Sequence, residues 1–406
     1  MMEAAPPADV ERRVDELLSR MTLEEKLGQM SQSTDMRTPL SGEIKDQIRR
    51  GRWGSFLNAG SPADRAEAQR IAMKESRLGI PLLFGRDVIH GYHTVFPIPL
   101  GESASWDPAL IQEAARIAAE EATKEGIRWT FAPMIDITRD PRWGRVAESL
   151  GEDPYLTGVL GAAMVRGFQG DSLDHAASMA ACAKHYVGYG AVEAGREYNS
   201  TWIPEILLRQ VYLRPFRAAL DAGAATFMTG FNALNGVPAS GNQLTVRKIL
   251  RDEWKFGGMV VSDYTSIVEM IQHGYAADAA DAARKALRAG VDMEMVSTTY
   301  FDHLQSPAAS GRAEAKRIDE AVRNILRLKF RLGLFDEKPA APANAEITPA
   351  ARDCAQRLAE ESAVLLKNDG NALPLSTSAK IAVIGPLANS PVDQMGTWVM
   401  DGRAAD

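Results

Sequence analysis

The sequence predicts an α/β fold, namely a (β/α)8 barrel of the TIM type followed by the start of an α/β sandwich domain. Short apolar runs alternate with amphipathic stretches over about the first 335 residues, and this alternation indicates parallel strands with helices outside them. The number of runs approaches eight, which favours a closed barrel over an open sheet. Polar residues follow the runs rather than precede them, and the carboxyl ends of barrel strands are where such folds do chemistry.

The individual elements follow from local signals in chain order. Thr22 is predicted to cap the first clear helix, because Glu25 stands three residues later and completes a capping box. The predicted strands are short and apolar, and they occupy residues 29–32, 53–57, 81–85, 129–134, 179–183, 225–229, 259–261 and 291–295. The last barrel helix is expected around residues 318–326, where apolar side chains recur at helical spacing, and Gly333 is its predicted stop.

The composition after the barrel changes and predicts a boundary. The barrel is expected to span residues 1–335, and residues 336–350, rich in Ala and Pro, are expected to form a linker. Residues 351–406 are expected to begin a second, truncated α/β sandwich domain. Within this part, Thr348 and Pro349 are predicted to start a helix that runs to about residue 367. A turn at residues 368–371 and a buried strand at residues 380–385 are predicted to follow it.

Composition and charge exclude several classes of function. The net charge of -7 argues against a nucleic-acid partner, and no apolar run is long enough to cross a bilayer. Only Cys182 and Cys354 are present, which rules out a disulfide framework or a cysteine metal site. His90 and His93 are spaced i, i+3 but have no acidic or third His ligand close by, so no metal site is expected there.

Asp263 is the most informative single residue. It stands at the end of the apolar run at residues 259–261. Burying a carboxylate beside such a run costs free energy unless a polar or cationic group pairs with it. Two interpretations stand at this point: a cap for the following helix, and a catalytic carboxylate.

Other polar groups follow predicted strands. Asp87 comes after the third run and could accept two sugar hydroxyls, or form a salt bridge to a neighbouring Arg. Arg145 closes a segment with three Arg and one Trp (residues 139–145), which suits a polyol or a carboxylate partner. Lys184 and His185 follow the fifth run and could donate hydrogen bonds to hydroxyls and keep a nearby Asp ionised. Carboxylates for the chemistry and cations for the hydroxyls fit a glycosidase.

Several segments in order resemble the family-3 glycoside hydrolases, and most of all those of the bacterial β-glucosidase type. The segments that carry the resemblance are residues 21–30, 139–145, 151–154, 184–185, 261–263 and 363–370. The resemblance covers nearly the whole chain. It implies a retaining, exo-acting β-glucosidase in which Asp263 attacks the anomeric carbon and forms a covalent glycosyl-enzyme.

The resemblance also implies a sugar site. The residues implied to bind the sugar are Asp87, Arg145, Lys184, His185, Arg196, Met228 and Tyr264. Lys184 and Arg145 are expected to lower the pKa of Asp263 and keep it ionised. The mechanism needs no cofactor.

Three departures from the family pattern matter. Tyr264 follows the nucleophile where many relatives have Trp, and Phe231 stands where many have Tyr. In this group the acid/base Glu comes from the second domain, in a region that this chain does not include. Single-domain relatives use an Asp/His pair in a loop that corresponds to residues 186–196, and here that loop has neither. The acid/base is therefore expected to lie outside these 406 residues.

Alternatives remain for function, partners and compartment. The functional alternatives are a β-xylosidase or another β-glycosidase of the family, and a sugar-binding fragment without turnover. The expected partner is a small saccharide or β-glucoside, with no nucleic acid and no membrane, and a homodimer or a second polypeptide that supplies the C-terminal domain is considered. The resemblance implies a periplasmic or extracellular compartment, although residues 1–7 do not have the pattern of a secretory signal.

Overall fold

The computed structural model of the protein describes residues 8–305, 312–336 and 345–404. Eight parallel strands form its centre, one for each predicted apolar run. They are β1 Ser31–Ser33, β2 Ser55–Leu57, β3 Leu83–Arg86, β4 Trp129–Thr130, β5 Cys182–Tyr186, β6 Thr226–Thr229, β7 Met259–Tyr264 and β8 Met293–Met295. A separate small sheet joins Ser200–Thr201, Ala233–Leu234 and Val237–Pro238.

Helices alternate with these strands, as the barrel prediction requires. The α-helices are α1 Ala8–Arg20, α2 Leu23–Gln29, α3 Gly42–Arg49, α4 Pro62–Glu75, α5 Pro99–Ala104, α6 Pro108–Lys124, α7 Pro154–Gln169, α8 Glu205–Leu207, α9 Arg214–Asp221, α10 Ala279–Ala289, α11 Thr299–His303, α12 Arg312–Arg331, α13 Pro349–Glu361 and α14 Pro391–Gln394. Two segments are π-helical, Leu208–Tyr212 and Leu244–Glu253, and the second connects β6 to β7.

The sheet closes on itself between β4 and β5. The strands lie in the order β4-β3-β2-β1-β8-β7-β6-β5, with every neighbouring pair parallel. Parallel bridges pair Trp129 with Ala180 and Met134 with Lys184, and the Lys184 N–H donates to the Pro133 carbonyl at 3.0 Å. The (β/α)8 prediction is therefore confirmed, and the carboxyl ends of all eight strands face one mouth.

Two of the predicted helix signals are visible in the structure. Thr22 accepts a hydrogen bond from the Glu25 N–H at 3.2 Å, and its own N–H donates to the Glu25 carboxylate at 2.9 Å. Helix α12 ends at Arg331, and Gly333 follows with a φ of 71°. A positive φ is sterically easy only for glycine, which explains why the helix stops there.

A buried lysine ties α12 to the amino-terminal ends of three strands. Lys329 is fully buried, and its ammonium donates to the Gln29 amide oxygen at 2.6 Å, the Gly54 carbonyl at 2.8 Å and the Pro81 carbonyl at 2.7 Å. These acceptors immediately precede β1, β2 and β3. The three hydrogen bonds compensate for removing the ammonium group from water.

The C-terminal part agrees with the sequence prediction only at its start. Helix α13 begins at Pro349 with Thr348 as its cap, but it ends at Glu361 rather than near residue 367. The turn near residue 370 is present as Asp369–Asn371. The strand predicted at residues 380–385 is wrong, since Ile384 is 91% exposed and no strand occurs in residues 345–404. A strand needs neighbouring strands for its backbone groups, and this part offers none. Residues 337–344 of the predicted linker lie outside the described residues.

Three expectations from the composition, on cysteines, metal sites and membrane spans, can be compared with the described residues. Cys182 and Cys354 are both buried free thiols. No group of three or more His, Cys, Asp or Glu residues in the described ranges is arranged to hold a metal ion. Among the helices described, none combines the length and apolar character that crossing a membrane requires.

Candidate functional site

Irregular strand ends shape the mouth of the barrel. The register of β7 against β8 shifts between Val261 and Tyr264, and that of β5 against β6 shifts between Ala183 and Tyr186. Such irregularities re-aim side chains where they occur. The two shifts contain Asp263 and the pair at residues 184–185, so three predicted site residues lie at irregular strand ends rather than in regular ladders.

Asp263 is a buried carboxylate at the end of β7, and only 7% of the residue is exposed. Its Oδ1 accepts a hydrogen bond from the Tyr264 N–H at 2.7 Å. Its Oδ2 lies 3.4 Å from His185 Nε2 and has no geometrically acceptable hydrogen bond from the described residues. One oxygen is therefore fixed by the backbone, whereas the other is held only loosely.

The expected charge balance at Asp263 needs a correction. Burial raises the pKa of Asp263 to about 6, although Arg145 and Lys184 act to lower it as predicted. The negative charge of Asp87 adds to the upward shift. The net pKa is raised rather than lowered, because removing a carboxylate from water outweighs the attraction of the two cations here. Asp263 is still mostly ionised near neutral pH.

Asp87 and Lys184 face each other across the mouth, and 3.5 Å separate the Lys184 Nζ from the Asp87 Oδ1. Asn58, at the end of β2, donates to Asp87 Oδ2 at 2.7 Å and accepts the Asp87 N–H at 3.0 Å. The carboxylate is thus held in one orientation. A fixed carboxylate beside an ammonium group can accept and donate hydrogen bonds to neighbouring hydroxyls of a polyol.

Arg145 is held by a carboxylate partner, one of the two possibilities the sequence offered. Its Nε and Nη2 donate to Glu148 at 2.7 and 2.9 Å, in a bidentate pair that is nearly buried. Burial acts to raise the pKa of Glu148, but the Arg145 hydrogen bonds outweigh it and the pKa is lowered. The guanidinium also lies 5.6 Å from the centre of the Tyr189 ring.

The remaining predicted sugar residues differ in exposure. Met228 is buried on β6, where it pairs in register with Val261 of β7. Tyr264 is 48% exposed at the mouth, as a ring offered to a ligand needs to be. Arg196 is exposed on the loop after β5, and the structure records no contact between its side chain and the other predicted site residues. On the same loop, the Tyr198 ring packs against Phe231 at 4.7 Å between ring centres.

A segment near the C-terminus, residues 396–402, reaches the mouth and was not anticipated from the sequence. Asp401 pairs bidentately with Arg86 at 2.8 and 2.7 Å, and its carbonyl lies 3.1 Å from His93 Nδ1. The Lys184 ammonium lies 5.5 Å from the Trp398 ring centre, and the Trp398 side chain hydrogen-bonds to Glu148. This segment places an indole beside Lys184, which was predicted to bind the sugar, and beside Glu148, the partner of Arg145.

Asp136 was also missed. It is buried after β4, and its Oδ2 lies 2.7 Å from His185 Nδ1 and accepts the His185 N–H at 3.0 Å. Burial first, and then Arg145 and Lys184, hold the pKa of His185 well below its ordinary value. The imidazole is therefore neutral near pH 7, and the task of keeping Asp263 ionised falls to Arg145 and Lys184. A signal was available, since Asp136 interrupts an apolar run between Ile135 and Ile137.

These groups together form a pocket that can hold a polyol against a carboxylate. Each carboxylate described beside Asp263 already has a partner: Asp87 has Lys184, Glu148 has Arg145, and Asp136 has His185. Asp263 Oδ2 lacks a good donor, as does Oδ1 of the fully buried Asp136. An ionised carboxylate with one weakly held oxygen is suited to attack an electrophilic carbon.

Comparison with protein families gives a match over most of the chain. The model of the family described as "Glycosyl hydrolase family 3 N terminal domain" matches residues 22–328. The periplasmic beta-glucosidase of Salmonella typhimurium is 41% identical over 399 residues, which make up 96% of this chain and 52% of the relative. A beta-xylosidase of Formosa agariphila is 34% identical over 420 residues, which make up 97% of this chain and 53% of the relative.

Solved structures give the same picture. The crystal structure of beta-glucosidase from Listeria innocua in complex with glucose matches with a TM-score of 0.91 and 42% sequence identity, over 97% of this chain and 57% of that chain. An exo-1,3/1,4-beta-glucanase from a Pseudoalteromonas species matches with a TM-score of 0.87 and 31% identity, over 100% of this chain and 54% of that chain. The chain spans about half the length of the curated relatives it matches.

Proposed function

The chain belongs to glycoside hydrolase family 3, and on that premise we propose that it carries the nucleophile and the sugar-binding half of a retaining, exo-acting β-glucosidase. In this proposal Asp263 attacks the anomeric carbon of a terminal β-D-glucosyl residue and forms a covalent ester. The bond to the leaving oxygen breaks as the ester forms, and water later releases the sugar.

The observation that carries the proposal is the environment of Asp263. It lies at the carboxyl end of a barrel strand, where the cations Arg145 and Lys184 favour its charge and one oxygen lacks a good donor. A helix cap, the other interpretation of this residue, binds the N–H groups of a following helix. Asp263 instead binds the N–H of the next residue, which is the last residue of its own strand.

Sugar-binding roles are proposed from the same geometry. Asp87 and Lys184 face each other at the mouth, Arg145 and His185 lie beside Asp263, and Tyr264 offers an exposed ring to the sugar face. Met228 lines the pocket floor in this proposal, and Arg196 reaches in from the loop after β5 when substrate is bound. We propose no cofactor.

The acid/base is proposed to come from outside residues 1–406. Asp87 and Glu148 are each paired with a cation, and Asp136 is fully buried against His185, so none of the three is placed to give a proton to a leaving group. The matched relatives are about twice as long as this chain. We propose accordingly that residues 351–406 are the beginning of a second domain, in the same chain or in another polypeptide, and that this domain supplies the missing carboxyl. A periplasmic location is proposed because the Salmonella relative is named for that compartment.

The direct test is covalent labelling with dinitrophenyl 2-fluoro-β-glucoside, because this reagent carries a leaving group that needs no proton. Intact mass should increase by one fluoroglucosyl group, and peptide mapping should place it on Asp263. Asp263→Ala should remove the label entirely, whereas Asp87→Ala should weaken reagent binding and still give the labelled product at high concentration. Asp140→Ala, a partly buried carboxylate paired with the exposed Arg142, is the matched control and should label normally. Labelling that persists in Asp263→Ala would mean that another residue is the nucleophile.

A β-xylosidase is the second candidate, and it is favoured by the Formosa relative at 34% identity. Glucose differs from xylose by a 6-hydroxymethyl group, and discrimination requires a contact that this group alone makes. The ratio of labelling rates for the fluoro-glucoside and the fluoro-xyloside decides between them. A faster xyloside reaction would replace the main proposal, and no reaction with either sugar would favour a binding fragment without turnover.

A further inference from the structure

Asp136 is buried so completely that its side chain has 0% exposure, and a substrate cannot touch it. Its Oδ2 accepts the backbone N–H of His185 at 3.0 Å and lies 2.7 Å from the Nδ1 of the same residue. The backbone N–H of Gly190 also acts on this carboxyl. The His185 donors reach the carboxyl at Oδ2, whereas Oδ1 has no acceptable hydrogen bond. Any effect of Asp136 on the reaction must therefore pass through His185.

The second contact of the imidazole is with the nucleophile. His185 Nε2 lies 3.4 Å from Asp263 Oδ2, and the ring packs edge-on against Tyr189 with 5.3 Å between ring centres. A carboxylate that accepts Nδ1–H fixes both the tautomer and the rotation of an imidazole. The ring is thus held by Asp136 at Nδ1 and packs perpendicular to Tyr189, and its Nε2 points to Asp263.

We infer that Asp136 is a positioning residue that holds His185 as the Nδ1–H tautomer, so that Nε2 meets Asp263 and the sugar as an acceptor and not as a donor. The inference rests on the proposed function, because the reaction it serves is the attack by Asp263. In this arrangement no hydrogen bond from His185 withdraws charge from Oδ2, and that oxygen remains free to form the ester.

The contact distance agrees with this assignment. A donor at Nε2 facing an ionised carboxylate makes a bond near 2.7–2.9 Å, whereas the observed separation is 3.4 Å and forms no acceptable hydrogen bond. Two lone pairs that face each other stay apart, as seen here. A sugar hydroxyl placed between them can donate to Nε2 and leave Asp263 ionised.

The charged groups around the ring favour a neutral imidazole. The titratable groups that face His185 are Asp136 and Arg145 from the segments after β4, Lys184 on its own strand, Tyr189 from the turn after β5, and Asp263 from β7. Burial together with Arg145 and Lys184 lowers the pKa of His185, while burial raises the pKa of Asp136 to about 7. On acidification the pair takes up a proton, Nε2 is then able to donate, and Oδ2 loses its freedom.

The first measurement is made on the parent protein, and a variant serves only to assign its resonances. After labelling with 15N-histidine, the resonances that disappear in His185→Gln identify this residue among the six histidines. At pH 8 we expect a protonated Nδ1 and an unprotonated Nε2. A protonated Nε2 at that pH would overturn the inference, whether or not the protein reacts with a fluoro-glucoside.

The second measurement compares Asp136→Asn with Ser149→Ala. One orientation of the amide places NH2 against His185, and the other places it against the Gly190 N–H, so neither orientation satisfies both donors and Nδ1–H loses its fixed acceptor in the first. Ser149 donates to the Asp136 carbonyl at 3.1 Å, so its removal perturbs the same backbone but leaves the carboxyl in place. We expect Asp136→Asn to redistribute the His185 tautomer and to slow limiting labelling of Asp263 by about tenfold or more, whereas Ser149→Ala keeps the tautomer and nearly the parent rate.

The outcomes separate the two proposals. An unchanged labelling rate in a folded Asp136→Asn protein overturns the positioning role. If Asp136→Asn does not fold, the tautomer of the parent still decides. If the parent shows the expected tautomer but Asp263 never labels, the proposed function fails while the hydrogen-bond assignment stands.

Discussion

Asp263 has to be ionised to attack, yet its surroundings oppose its charge. Burial raises its pKa to about 6 against the pull of Arg145 and Lys184. For a carboxyl whose pKa is raised on folding, the contribution to stability is present below its unfolded pKa, about 3.9, and is lost as pH rises through the folded value. The ionised nucleophile is therefore the less stable form of the folded protein, and labelling should rise with pH and reach half its maximum near pH 6.

Lys184→Met tests how far the neighbouring cation determines the pKa of Asp263. The change removes a positive charge beside Asp263, and it also leaves Asp87 without the ammonium that lies 3.5 Å away. Both effects raise the pKa of Asp263, so the midpoint of limiting labelling rate against pH should move up by about one unit. Lys74→Met, on the exposed face of α4, should leave the midpoint in place. A midpoint that stays or moves down in Lys184→Met would show that Lys184 does not lower the pKa of Asp263.

Individual site residues could be predicted where a polar residue follows an apolar strand. Asp87, Lys184, His185 and Asp263 were found because each follows an apolar strand, and the structure gathers them at one mouth. Asp136 carries a related signal, a carboxylate within an apolar run, but it was not used. The predicted direction of the net pKa shift of Asp263 was wrong, because a sequence identifies the cations but does not give the depth of burial.

At the scale of elements, the strands were predictable because each apolar run has a neighbour on both sides in the closed sheet. The run at residues 380–385 has the same composition but remains exposed without strand partners among residues 345–404. Apolar character indicates that a segment tends to be buried. Whether it pairs as a strand depends on elements elsewhere in the chain. For the same reason no local pattern predicted that Trp398 would lie beside Lys184, since their contact depends on the path of the whole C-terminal segment.

The attachment of helix α12 gives an element-scale prediction. Lys329→Met removes the ammonium that binds three buried acceptors before β1, β2 and β3. A buried acceptor without a partner costs about 1–3 kcal/mol, and partial rearrangement of Gln29 leads us to expect a loss of about 3 kcal/mol in the free energy of unfolding. Denaturant unfolding measures it, with Lys316→Met, exposed on the same helix, as the control. Equal stability of both variants would contradict the role given to Lys329.

The segment at residues 396–402 gives a second prediction. Asp401→Asn breaks the bidentate pair with Arg86 and leaves a largely buried guanidinium without its anion. The segment should loosen, Trp398 should leave Lys184, and glucose should bind about tenfold more weakly, a change of about 1.4 kcal/mol by calorimetry. Asp393→Asn, exposed in α14, is the control. Equal glucose affinity in both variants would mean that the segment does not form part of the sugar pocket.

At the scale of the whole molecule, the charges around the mouth are nearly all paired, and this pairing limits the chemistry. Arg145 with Glu148 and Lys184 with Asp87 fix the pocket in one shape, which suits binding. A general acid needs the opposite condition, a carboxyl kept protonated near the working pH. Asp87 and Glu148 are paired with cations, and Asp136 is fully buried, so these neighbours of Asp263 are poorly placed to donate a proton to a leaving group.

A nucleophile without a general acid predicts a specific kinetic pattern for residues 1–406. Dinitrophenolate leaves without a proton, so dinitrophenyl β-glucoside should react with Asp263, whereas an alkyl glucoside, which needs an acid worth about 10²–10⁴ in rate, should hardly react. The same missing group would serve as the base that activates water. The reaction should therefore release about one dinitrophenolate per chain in a burst and then slow, as the glycosyl ester accumulates.

Azide tests the second half of that pattern, because it is an anion that attacks without a base. Added azide should speed the slow phase and yield β-glucosyl azide, and Asp263→Ala should show neither burst nor azide effect. Asp140→Ala, outside the pocket, should retain both. Steady turnover of an alkyl glucoside, with no burst and no response to azide, would show that an acid/base already acts within these residues. Glu197, bound through its carboxylate to the Tyr189 hydroxyl, would then be the first carboxyl to replace.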